Sequence, residues 1–297
     1  MSELPDDEAE IESSRAPLLD HLTELRSRLI VCVAALTAGF VLCFVFATQI
    51  YNFLLHPFEV AAHMFAAQQS GGENGPFDLL AVLVGLKDVA PEGGENLRLV
   101  FTAPLEFFFT KMKLAAFGAV VVTFPVLAWQ VYGFVAPGLY KRERRAFLPF
   151  LVASPSLFLL GAAMVYFVIL PFVLWFSLSQ QIVGSGSISV ELLPKVSDYL
   201  TLVTTLLLAF GLCFQLPVVL TLLGMAGIVS SEALRTGRRY AIVGVFVVAA
   251  ILTPPDPISQ TLLALPILLL YEVSIWCVRL IERRRAREDA AHDIVPV

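Results

Sequence analysis

The chain has 297 residues, of which 58% are hydrophobic and only 15% charged, with a mean hydropathy of +0.80. A water-soluble domain of this size carries about a quarter of its residues as charges, so that class is excluded. The formal net charge of −5 comes partly from an acidic N-terminal tail and does not decide topology.

Residues 1–15 hold Glu3, Asp6, Asp7, Glu8, Glu10 and Glu12, a composition that suggests a disordered acidic tail. Its acidity also argues against a cleavable signal peptide, whose start is basic. From Ala16 the spacing of Leu18, Leu22, Leu25 and Leu29 predicts a short amphipathic helix on the membrane surface, with Pro17 in its first turn. Glu24 and Arg28 sit one turn apart on its other face.

Crossing the hydrocarbon core takes about 20 apolar residues in a helix. Such stretches fall at about 29–48, 114–136, 147–177 and 199–229, followed by two shorter ones at 240–253 and 258–278. The expected architecture is therefore an all-α polytopic membrane protein with six transmembrane helices. The segments lack the alternation of barrel strands, and lipid offers an unpaired backbone no hydrogen bonds. Pro125, Pro149, Pro155, Pro171, Pro217 and Pro266 predict kinks, and so a concave bundle. The fifth span reaches only about 21 Å at 1.5 Å per residue, less than a bilayer core. Residues 279–297 form a basic, then polar, tail.

Orientation follows the basic residues. Arg15, Arg26, Arg28, Lys141, Arg142, Arg144, Arg145, Arg235, Arg238, Arg239, Arg279, Arg283, Arg284, Arg285 and Arg287 fall on one side of this layout, leaving five of the 20 Lys and Arg for the other. The bias predicts both termini inside. The first outer segment, 49–105, is broken by Gly71-Gly72 and Pro91 to Asn96, and the second, about 178–198, is short and rich in Gly and Ser. Cys32, Cys43, Cys213 and Cys277 lie in apolar runs without a paired spacing and read as small buried hydrophobes. No phosphate-binding glycine motif, metal-ligand spacing or nucleophile–base pairing is present, so no catalytic residue, cofactor or metal is expected.

Five stretches carry a resemblance: His21 to Leu29 (HLTELRSRL), Phe134 to Arg145 (FVAPGLYKRERR), Gly161 through Tyr166 to Pro171, Phe210 to Pro217 (FGLCFQLP) and Leu252 to Gln260 (LTPPDPISQ). In this order, with these spans between them, the chain resembles the TatC family, the multi-spanning receptor subunit of the twin-arginine protein translocase, over residues 16–278. The resemblance implies a receptor in the bacterial inner membrane, not an enzyme, that binds paired-arginine signal peptides of folded cargo at the cytoplasmic face. It implies assembly into an oligomeric receptor complex with single-span TatA- and TatB-type proteins, and transport driven by the proton-motive force. No nucleic-acid partner is expected.

The carboxylates that the family uses correspond to Glu24 and Glu143. A carboxylate suits the planar, always-charged guanidinium better than it suits lysine. The plainer reading is that Glu24 pairs Arg28 and Glu143 its basic neighbours. Arg26 and Phe134 lie in the same motifs and are expected to shape that surface. Tyr166 is expected either to donate a hydrogen bond in the concave face or to fill the bundle, and Gln215, mid-span, must find a partner or water. Asp256 is expected in an outer turn, as a cap of the last helix or a functional group, and Glu272 near the interface or paired with Arg279. The chain departs from the family at Gln215, where Glu is usual, and in its longer first outer segment. A secondary transporter is the main rival, opposed by the lack of a repeat and of midplane charges. A membrane hydrolase lacks a nucleophile.

Overall fold

The computed structural model describes residues 5–69, 99–135, 148–180, 195–252 and 257–292, and all the elements below are helical. They are α1 (Pro5–Val45), α2 (Ala47–Gln69), α3 (Glu106–Val135), α4 (Leu148–Met164), a π-helical turn (Val165–Ile169), α5 (Leu170–Ser179), α6 (Val196–Cys213), α7 (Leu216–Met225), α8 (Ser231–Leu252) and α9 (Pro257–His292). Among the described residues, five stretches are long and apolar enough to cross a membrane: Leu22–Val45, Glu106–Phe134, Phe150–Ser179, Val196–Met225 and Gln260–Arg284. The fifth expected segment, 240–253, falls at the end of α8 as far as Leu252, and the first part of this helix holds Arg235, Arg238 and Arg239, which shorten its apolar run.

α1 starts at Pro5, inside the segment whose composition suggests disorder, and runs unbroken into the first span. Its packing partner is α3. Small residues bring the two close: a side chain added at Gly39 would fall 2.7 Å from Thr123, and one at Gly118 would fall 2.9 Å from Cys43. Of the four cysteines expected to be buried, Cys43 is buried there, whereas Cys32, Cys213 and Cys277 are only half-buried.

Prolines break the two longest spans. Between α4 and α5 the Leu170 N–H reaches back five residues to the Val165 carbonyl, just before Pro171. Between α6 and α7 the Gln215 N–H bonds Leu212 only three residues back, two residues ahead of Pro217. A proline offers no N–H to the residue four back, so the ladder rearranges next to it. At the far end of α7, Gly227 takes φ of 73°, and Gly227 and Ile228 bond back to Gly224 and Leu223, closing the helix before α8.

The main core gathers Leu54 and Phe58 of α2, Val165 to Leu174 of the third span and Tyr199 to Phe214 of α6. The opposite surfaces are apolar and exposed, for example Val243, Val247 and Ile251 on α8, as lipid-facing residues are. α2 is a departure from expectation. The first part of 49–105 is a 23-residue helix whose Leu54, Phe58 and Ala61 are buried at helical spacing. The glycine-rich remainder lies outside the described residues.

Candidate functional site

At one end of the bundle α1 meets the last turns of α3. Arg28 donates from Nε and Nη2 to Oε1 of Glu24, at 3.0 and 2.7 Å, the pair that the i, i+4 spacing allows. Its Nη1 donates to Oε1 of Gln130 on α3 at 3.4 Å. The guanidinium lies so close to Gly133 that an added Cβ would stand 2.3 Å from Nη1. Glu24 is 36% exposed and Arg28 24%, so this ion pair is open to solvent and worth at most about 1 kcal/mol. Both bonds fall on one carboxylate oxygen; among the described residues Oε2 takes none. Phe134, next to Gly133, is half-buried, and Arg26 is exposed. The structure thus brings Glu24 and Phe134 to one end. Glu143 follows Val135 by eight residues and lies outside the described residues, as does Asp256.

A buried polar chain begins two residues from Gln130. The Tyr132 hydroxyl donates to Ser154 Oγ at 3.2 Å, Ser154 Oγ donates to Gln215 Oε1 at 2.6 Å, and Gln215 Nε2 donates to the Ser154 carbonyl at 2.9 Å. Gln215 is 7% exposed, so its amide finds its partner inside this chain, on α4. The chain joins α3, α4 and the α6–α7 break. Tyr166 donates to the Phe53 carbonyl at 2.8 Å and also fills the bundle, at 7% exposure.

Glu272 does not pair with Arg279. It takes Nη2 of Arg238 at 2.6 Å, because α8 packs along α9 and brings Arg238 beside it. Tyr271 bonds the Leu234 carbonyl, and Glu282 accepts from the Ser231 backbone and hydroxyl at the start of α8. Gln130, Gly133, Tyr132 and Ser154 are the site residues that sequence patterning leaves unmarked. The signal for Gln130 and Ser154 was a polar side chain within an apolar run.

A bundle of kinked, lipid-facing helices with one polar end defines a multi-spanning membrane protein, not a soluble binding module. Residues 20–266 match the family model described as Sec-independent protein translocase protein (TatC). The chain is 41% identical to the Sec-independent protein translocase protein TatC of Magnetococcus marinus over 279 residues, covering 94% of this chain and 90% of that protein. With the protein of the same description in Escherichia coli K12 the identity is 35% over 274 residues, 92% of each. Among solved structures, a crystal structure described as the twin-arginine translocase receptor TatC aligns with a TM-score of 0.66 at 32% identity, covering 88% of this chain and 98% of that one. The chain belongs to the TatC family, and its work is protein transport in the twin-arginine pathway.

Proposed function

We propose that this chain is the receptor core of the twin-arginine translocase, reading paired arginines with Glu24 and Glu143 at the cytoplasmic face of the bacterial inner membrane. The observation that carries this reading is the setting of Glu24. It is open to solvent and held by Arg28, whose guanidinium in turn reaches Gln130 and Gly133 at the end of α3, from which the sequence leads into the Glu143 motif. An incoming arginine meets a carboxylate already held by a guanidinium, with its second oxygen facing no donor among the described residues. Two such carboxylates favour two planar forks over two ammonium groups. Arg26 and Phe134 flank the same surface.

Replacing Glu24 or Glu143 by Ala is expected to weaken binding of a paired-arginine precursor. For a carboxylate this open to solvent the expected loss is about 1 kcal/mol, roughly fivefold in affinity. Binding is measured on the purified full chain in lipid nanodiscs, with the amount of protein in membranes as the control. Unchanged affinity in both variants rejects the assignment.

The chain has six spans with both termini inside in this reading, with α8 as the short fifth and the turn at Asp256 outside. Support comes from the 15 basic residues that share the proposed inner face. In a cysteine-free background, a cysteine at Gly85 is expected to react with an impermeant thiol reagent added to intact cells, and one at Lys141 to stay unreacted. The reverse pattern overturns the topology.

The lipid-facing apolar surfaces of the later spans, in this reading, receive single-span TatA- and TatB-type helices within an oligomeric complex, and the proton-motive force drives export. Tyr166 and Gln215 serve docking indirectly, by holding the spans that carry these surfaces.

A further inference from the structure

Pro57 stands inside α2. A proline has no N–H to give to the carbonyl four residues back, here that of Phe53. On a buried face a backbone oxygen without a donor is costly. This one is met from another span. Tyr166 donates its hydroxyl to the Phe53 carbonyl at 2.8 Å, and Tyr199, at the start of α6, donates to the next carbonyl, Leu54, at 2.6 Å. The rings follow the hydroxyls. Tyr166 stacks on Phe53 with centroids 4.4 Å apart, and Tyr199 meets Phe58 edge-on at 5.4 Å. Both tyrosines are buried, at 7% and 4% exposure. Tyr166 sits in the π-helical turn, a local geometry that recurs at functional positions.

We propose that Pro57 is the docking element of α2. By withholding one N–H it leaves the Phe53 carbonyl without its helical donor; Tyr166 takes that oxygen and Tyr199 takes the next carbonyl, Leu54, so the two act as positioning residues that fix α2 to the third and fourth spans. The clamp lies at the opposite end of the bundle from Glu24, near the start of α3, where Tyr51 of α2 meets Phe107. It rests on helix geometry and does not depend on the receptor reading.

The test is a double-mutant cycle on the full-length protein in detergent, read as thermal unfolding and as yield of folded chain. Tyr166→Phe leaves the Phe53 carbonyl without a donor and is expected to lower Tm by several degrees. Pro57→Ala supplies the missing N–H, so Pro57→Ala with Tyr166→Phe is expected to recover more than half of that loss. Tyr199→Phe should not be rescued in this way, because a backbone N–H at position 57 serves the carbonyl four residues back, Phe53, and not that of Leu54. If Tyr166→Phe yields no folded protein, the readout becomes recovery of folded chain in the double variant. Additive losses, an unchanged Tm in Tyr166→Phe, or equal rescue of Tyr199→Phe overturns the proposal.

Discussion

Gly161→Leu is expected to collapse the yield of folded protein, while Gly244→Leu, the same change on α8, leaves it close to wild type. α4 crosses α6 where Gly161 faces Phe210 and Phe214. A Cβ at 161 would lie 2.9 Å from the Phe210 carbonyl oxygen and 2.8 Å from the Phe214 ring. One of those atoms is backbone and does not yield by changing rotamer. The partner glycine is equally tight, since a Cβ at Gly211 would lie 2.5 Å from Phe158, a ring 1% exposed and stacked on Phe124 at 4.0 Å. Overpacking a filled core costs about 1–3 kcal/mol and more where backbone must move, so a leucine here should exceed ~3 kcal/mol. At Gly244 nothing lies within 4 Å of an added Cβ. Membrane yield and thermal unfolding in detergent read both variants. Equal yields would mean that the α4–α6 crossing is looser than this geometry.

Gln215→Leu is expected to be damaging although it adds no bulk. It removes both hydrogen bonds between the α6–α7 break and Ser154, and leaves the Ser154 hydroxyl without its acceptor in a buried site. Polar contacts between spans average about 0.6 kcal/mol and reach about 1.7, so two of them amount to ~1–3 kcal/mol. Gln215→Glu behaves differently. A carboxyl group that keeps its proton accepts from Ser154 Oγ and donates to the Ser154 carbonyl, matching the amide bond for bond. The family residue is therefore expected to support export here, whereas Leu impairs export and leaves precursor binding at the Glu24 end largely intact. Normal export from Gln215→Leu would make this polar chain dispensable. Loss of export in Gln215→Glu would show that the site needs an amide.

Helical class, five of the spans and the breaks at Pro171 and Pro217 were legible because long apolar runs dominate every local signal, and because these prolines act on their own ladders. Glu24 with Arg28 was legible from spacing alone. α2 was not. Pro57 sits within it, its mean hydropathy is low for a span, and its buried Leu54, Phe58 and Ala61 acquire meaning only against Tyr166 and Tyr199, more than a hundred residues on. The partner of Gln215 was hidden for the same reason, since Ser154 is 61 residues away and reads locally as one small polar residue beside Pro155. For Glu272 the sequence offers the interface or Arg279, two turns further along its own helix, because spacing sees neighbours within a helix and not across a hairpin. The structure gives it Arg238 instead.

If two carboxylates select two arginines, a titration of the full chain in nanodiscs with matched signal peptides carrying paired arginine or paired lysine separates the two. The arginine peptide is expected to bind at least about tenfold tighter, a difference of ~1.4 kcal/mol. This preference is expected to disappear when Glu24 and Glu143 are both replaced by Ala. Equal affinities for the two peptides in the unaltered chain, or a preference for arginine that survives in the double variant, would contradict selection by these two carboxylates.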